Sequence, residues 1–260
     1  MDLTHVRDSE TTDYLSMNEA GRIAAETHEQ LASILEVGTS SLELDRVAET
    51  FIRDHGAKPA FRAFGDYSRT ITVSINDQLI HAPPHASKVL EAGDVVSIDL
   101  GACYKGHYSD TAVTYIVGEA PTAKHEELVN KTRTALYAGI QQAVAGNSLS
   151  DVGRAIADHS GPFGNVVEWT GHFIGRQLHL GPKLYNRAHQ KNSLILQPGM
   201  CVAIEPILTL SSNANTSELS EGGVVSTVSG APGAHFEHTV RVHEDRAEIL
   251  TSRTDEPDFL

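Results

Sequence analysis

The feature that most constrains this chain is a ten-residue motif that occurs twice. Leu90-Glu91-Ala92-Gly93-Asp94-Val95-Val96-Ser97-Ile98-Asp99 and Leu196-Gln197-Pro198-Gly199-Met200-Cys201-Val202-Ala203-Ile204-Glu205 share L-x-x-G-x-x-V-x-I followed by an acid, at an offset of 106 residues. A weaker match precedes each copy: Leu44, Val47 and Phe51 recur as Leu149, Val152 and Ile156, at an offset of 105. Near-equal offsets predict two pseudo-symmetric halves, each reading helix, helix, then antiparallel strands. Two such halves sharing one core make an α+β domain, with helices covering one side of a curved sheet. The symmetry then brings the acids that end the two motifs, Asp99 and Glu205, together.

Local patterning fills in the elements. Ser16-Met17-Asn18-Glu19 reads as a capping box, and Met17, Ala20, Ile23, Ala24, Leu31, Ile34 and Leu35 continue at helical spacing until Gly38. A second helix ends at Gly56, a third runs from Leu128 through Val144 to Gly146, and a fourth stops at Gly161-Pro162. Residues 1–12 and 251–260 read as polar tails, leaving 13–250 as a single domain with pseudo-repeats over about 16–120 and 121–245. Lys+Arg 20 against Asp+Glu 34 gives −14, a field that repels phosphate backbones and anionic lipid. Direct nucleic-acid and membrane binding are therefore disfavoured. The N-terminus lacks a basic segment followed by an apolar one, and Cys103 and Cys201 are too few for a disulfide framework. A cytoplasmic location is expected.

The chemistry lies in the strands. If Lys105-Gly106 is a two-residue hairpin turn, Asp99 faces Ala112, and Asp110 is its diagonal neighbour on the same face, opposite Val96, Ile98 and Leu100. In the second half, Glu237 shares a face with Thr239 while Phe236, Val240 and Val242 point away. Four carboxylates converging in a partly buried sheet repel one another unless cations hold them ionised, and two divalent ions would supply the balance. His172 and His179 lie near Gly171 and Gly175, which allow close backbone approach. Gln78-Leu79-Ile80-His81-Ala82-Pro83 is similar to Gln177-Leu178-His179-Leu180-Gly181-Pro182, which makes His81 and His179 pseudo-symmetric partners flanking the metals.

SINDQLIH, GDVVSIDLGACYKGHYSDTAV, TGHFIGRQLH, GMCVAIEP and FEHTV together resemble the ordered motifs of the type I methionine aminopeptidases. These belong to the pita-bread group, with Xaa-Pro peptidases and creatinase, and the likeness runs from about Met17 to Val242. The resemblance implies that Asp99 binds one metal, that His172 and Glu205 bind the other, and that Asp110 and Glu237 bridge both. It implies further that a metal-activated water attacks the scissile carbonyl and that Glu205 shuttles the proton to the leaving amine. His179 would bind the carbonyl oxygen as it gains charge, and His81 would contact the peptide backbone. Removal of the initiator methionine from nascent chains and peptides is the implied function, with Co, Mn, Fe or Zn as the two ions. A docking place on the ribosome surface is compatible with it, and the protein is expected to be a monomer. An Xaa-Pro dipeptidase is the alternative, though that group usually carries an extra N-terminal domain that this length leaves no room for. A non-catalytic pita-bread binding module is the third reading, and such relatives lose ligands.

The chain departs from the family at His81-Ala82-Pro83-Pro84, His179-Leu180-Gly181-Pro182 and Gly171-His172-Phe173, none of which removes a ligand. Leu178 stands where the family has an aromatic residue, and Glu221-Gly222-Gly223-Val224-Val225 lacks the expected tryptophan. The only tryptophan, Trp169, lies elsewhere in the sequence. These changes predict a wider, less closely packed slot for the first side chain.

Overall fold

A computed structural model of the protein describes residues 11–63, 67–190, 193–218, 223–254 and 256. The first half comprises helices α1 (Thr11–Ala32) and α2 (Ser41–Asp54) and strands β1 (Lys58–Pro59), β2 (Ile71–Ile75), β3 (Gln78–Ile80), β4 (Val95–Tyr104) and β5 (His107–Ile116). The second comprises α3 (Ala123–Gln142) and α4 (Leu149–His159), then β6 (Gly164–Asn165), β7 (Gly171–Phe173), β8 (Leu180–Leu184), β9 (Cys201–Ile204) and β10 (Ile207–Thr209). It finishes with β11 (Thr216–Glu218), β12 (Val225–Thr227), β13 (Gly233–His235), β14 (Glu237–Val242) and β15 (Ala247–Ile249). No helix among the described residues is long and apolar enough to cross a membrane.

The repeat is visible in the backbone bonding. Gly38 N–H donates to Leu90 O at 2.9 Å and Gly146 N–H to Leu196 O at 3.1 Å, while Gly93 and Gly199 donate to Val117 O and Val242 O at 2.8 and 2.9 Å. Ser40 caps α2 and Ser148 caps α4, each accepting from the backbone three residues on. The two halves meet where β5 pairs with β14, at the centre of a sheet ordered β1-β4-β5-β14-β9-β7-β8, with β2 joined to β4 and β15 to β14.

Period-2 alternation divides the sheet into two faces. Ile71, Val73, Val96, Ile98 and Leu100 pack under α1 and α2, while Val202, Ile204, Val240, Val242 and Phe173 pack under α3 and α4. Full burial of each such side chain contributes roughly 1.5–3 kcal/mol, so a one-residue slip in any strand would forfeit a whole row. The hairpin turn is as expected: Lys105 and Gly106 take φ of 49° and 82°, and Asp99 pairs with Ala112.

Three expectations need correction. Helix α1 starts at Thr11, so Ser16 is buried inside it rather than capping it, and Glu19 pairs with Arg22 at 2.7 Å instead of reaching back. Helices α1 and α3 also stop at Ala32 and Gln142, short of Gly38 and Gly146, because those glycines turn to meet the Leu90 and Leu196 carbonyls. Finally, the chain beyond Leu250 is not all tail. Arg253 ion-pairs with Glu256 and donates to Thr111 Oγ1 at 2.9 Å, and Glu256 meets His238 Nε2 at 2.9 Å. This clip lies behind β5 and β14, one residue along from Asp110 and from Glu237.

Candidate metal centre

The face opposite the helices collects the polar side chains. Asp99 and Ala112 are paired, Gly101 faces Asp110, Glu237 faces Ala112, and His172 faces Ala203, so strand parity places Asp99, Asp110, His172 and Glu237 on one surface. Two glycines make this possible. A Cβ at Gly101 would meet Ser109 O at 2.5 Å and Asp110 Oδ1 at 3.4 Å, and one at Gly171 would overlap the Ala203 carbonyl oxygen. Gly171 thereby lets β7 close on β9 and fixes the height of His172.

The register also bears on His81 and His179. Ser74 opposes Ser97, His172 opposes Ala203, and Ser97 and Ala203 are equivalent positions of the repeated motif. Ser74 and His172 are therefore counterparts, 98 residues apart, the separation that also relates His81 to His179. Only the second half supplies an imidazole at this height, which makes the donor set asymmetric.

All seven residues singled out from the sequence, His81, Asp99, Asp110, His172, His179, Glu205 and Glu237, line one cavity of about 240 Å³. His172 Nε2 lies 3.7 Å from Glu205 Oε1, 3.8 Å from Asp110 Oδ2 and 4.0 Å from Glu237 Oε1. Donor atoms of His172, Glu205 and Glu237 lie within 4.8 Å of one another, as do those of Asp99, Asp110 and Glu237, and those of Asp110, His172 and His179. Glu237, Asp110 and His172 each belong to two of these groups, and of the carboxylates only Asp110 and Glu237 do so.

Electrostatics fits the same reading. Burial pushes Asp99 up to about 7, and raises Asp110, Glu205 and Glu237 well above the usual carboxylate range, with mutual repulsion adding to it. Asp99 Oδ1, Asp110 Oδ1 and Glu237 Oε1 are buried without a hydrogen-bond partner, a costly arrangement for protein alone. His172 donates from Nδ1 to Phe173 O at 3.0 Å, and burial first, then the His179 imidazole, lowers it to about 3. Its Nε2 lone pair thus faces the carboxylates. Four carboxylates and one neutral imidazole with orphaned oxygens suit a divalent cation of borderline or hard character.

His179 stands at the mouth with its ring 4.4 Å from that of His172. The residue is exposed by surface area, yet neighbouring protein withdraws enough solvent that desolvation, with repulsion from His81, lowers its pKa. His81 occupies the left-handed region at φ 65°, a strained conformation for a non-glycine residue, and packs edge-on against Trp169 at 5.2 Å. Trp169 is thus a buttress for His81, a role its distance in sequence concealed. Sequence reading also missed Phe61 and Tyr67, which with Leu178 form the apolar end of the cavity. They sit where period-2 patterning is broken, so no hydrophobic alternation marked them. Gly222 lies outside the described residues, and Gly223 does not line the cavity.

A concave sheet carrying metal-ready carboxylates above two pairs of helices defines a metallohydrolase of the pita-bread class. The chain belongs to metallopeptidase family M24, whose model matches residues 16–244. Within that family it resembles methionine aminopeptidase 1 of Bacillus subtilis, with 39% identity over 90% of this chain and 94% of the relative. The solved methionine aminopeptidase of Thermotoga maritima superposes with a TM-score of 0.91 at 33% identity, covering 95% of this chain and 99% of that one. The Xaa-Pro dipeptidase of Bacillus anthracis is more distant: TM-score 0.75 at 27% identity, with 98% of this chain matched but only 64% of that one. Family membership implies divalent metal binding.

Proposed function

We propose that this chain is a methionine aminopeptidase, a metal-dependent hydrolase that removes the first methionine from peptides and nascent proteins in the cytoplasm. The observation that carries this reading is the position of Asp110 and Glu237, the two carboxylates that each lie within reach of two donor groups and that have a second oxygen to offer. Asp99 would hold one divalent ion, His172 and Glu205 the other, and Asp110 and Glu237 both. When bound, such ions supply Lewis acidity and a nucleophile at neutral pH.

The chain's own residues do the rest. Glu205, ionised when the site is loaded, would take up the proton released by the attacking water and pass it to the leaving amine. His179, kept neutral at the mouth, donates a hydrogen bond to the carbonyl oxygen as charge develops there. His81, fixed by its backbone and by Trp169, orients the peptide beyond the cleaved bond. Phe61, Tyr67 and Leu178 bound an apolar slot for the first side chain, and the flexible thioether of methionine adapts to such a shape. The catalytic unit is a single domain acting as a monomer, with manganese, iron, cobalt or zinc compatible with the donor set.

Glu205→Ala and Asp110→Ala test the assignment. Each should abolish metal-dependent cleavage while far-UV circular dichroism stays native. Near wild-type activity at full metal occupancy in either variant would refute it.

A further inference from the structure

His235 ends β13, two residues before Glu237 begins β14, and is almost fully buried, yet neither ring nitrogen has a hydrogen-bond partner. A buried imidazole with both nitrogens unsatisfied is costly, and so it points to a partner within small reach. That partner is Glu205. His235 Nε2 lies 3.7 Å from Glu205 Oε2, while Glu205 Oε1 lies 3.7 Å from His172 Nε2. The carboxylate is held between two imidazoles, one facing each oxygen. The gap to His235 exceeds a hydrogen bond by a few tenths of an ångström, and the broad terminal torsion of a glutamate closes such a gap at little cost.

The backbones at both ends are fixed. His235 N–H donates to Thr114 Oγ1 at 2.8 Å, and the Thr114 hydroxyl donates to His235 O at 2.7 Å, which leaves Ser97 as donor in its 2.8 Å contact with Thr114 Oγ1. Glu205 O accepts from Asn186 Nδ2 at 3.0 Å, and β13 pairs with β10 so that His235 faces Ile207. The imidazole is therefore aimed by the main chain, not by loose packing.

We propose that His235 is a positioning residue that donates from Nε2 to Glu205 Oε2, turning Oε1 toward the cluster with His172 and holding the carboxylate in the orientation its work requires. This inference rests on the reading of Glu205 as a metal ligand and proton carrier. The role is distinct from that of a ligand: no group of donors within metal-binding distance of one another includes His235 among the described residues.

Three replacements separate positioning from packing. In His235→Gln the side-chain amide nitrogen reaches the place of Nε2, in His235→Asn it reaches only the place of Nδ1, and His235→Phe keeps the ring volume with no donor. Binding of Mn²⁺ to the chelator-stripped protein is measured by titration calorimetry, alongside kcat and KM of the loaded enzyme. His235→Phe and His235→Asn should each weaken Mn²⁺ binding about 10-fold or more, the usual effect of losing a group that orients a metal ligand. His235→Gln should stay within about 3-fold of wild type, with kcat restored and KM little changed in all three. Equal loss in the Gln and Asn variants, or no loss in His235→Phe while Glu205→Ala is inactive, overturns the positioning role alone. Full Mn²⁺ affinity and activity in Glu205→Ala overturns it together with the assignment of Glu205.

Discussion

Stripped of metal by a chelator, the protein should lose stability as pH rises from about 7 to about 8.5, and divalent metal should abolish that slope. Asp99 is pushed up to about 7 by burial, and Asp110, Glu205 and Glu237 lie well above the usual range. The native cluster therefore keeps protons that the unfolded chain has already released. Because the folded state binds more protons, stability present at lower pH is lost as pH rises through the folded pKa values. A proton retained throughout contributes about 1.4 kcal/mol per pH unit, hence at most about 2 kcal/mol across this window, and Asp99, at about 7, contributes less. At roughly 2–4 °C per kcal/mol for a chain of this size, the fall in Tm is about 4–8 °C per proton retained throughout. The window matters because burial lowers His28, His172 and His235 to about 3 and lowers His238 as well. Those imidazoles give the opposite slope, but only below the unfolded histidine pKa of about 6.5. Denaturant unfolding at several pH values, with chelator and with Mn²⁺, reads both effects. Asp110→Asn removes one carboxylate that must stay protonated and should flatten the slope of the metal-free protein. Stability that is level or rises from pH 7 to 8.5 in chelator would refute the reasoning.

His179→Ala should lower kcat on the order of 10²-fold or more while changing KM little, because its hydrogen bond strengthens only as charge develops. Steady-state kinetics checks this, and unchanged kcat with weakened binding would move His179 to substrate positioning. Gly171→Ala places a methyl on the Ala203 carbonyl oxygen, so β7 must draw away from β9. A loss of about 1–3 kcal/mol in denaturant unfolding is expected, with weaker metal binding because His172 moves with the strand. Leucine and norleucine in the first position should be rejected by only about 10- to 200-fold relative to methionine, the range that one methylene in an apolar pocket supports.

Much of the site was legible because strand parity and the repeat act together. Once Lys105-Gly106 is read as a turn, Asp99 and Asp110 must share a face, and the repeat then carries Glu205 to the same place. The cavity walls were not legible in the same way. Leu178, read as a smaller wall, does line the cavity, but Phe61 opens a single 3-10 turn after β1, and only tertiary folding brings it and Tyr67 to the same cavity as Leu178. The Arg253–Glu256 clip was hidden for a related reason: its residues are polar and without period, and their burial depends on His238, in the preceding long strand, and on Thr111, 142 residues from Arg253. The Ser16–Glu19 pattern misled because a capping box is defined by its place at a helix start, which four residues of sequence do not reveal.

Cleavage of first-position methionine by a metal-loaded cluster is tested most directly with peptides alike except in their first two residues, assayed with Mn²⁺, Fe²⁺, Co²⁺ and Zn²⁺ in turn and with chelator. Met-Ala and Met-Gly peptides should be cleaved best, large second residues should block cleavage, and chelator should abolish it. A requirement for proline at the second position, methionine ranking below several other first residues, or full activity in chelator would contradict it.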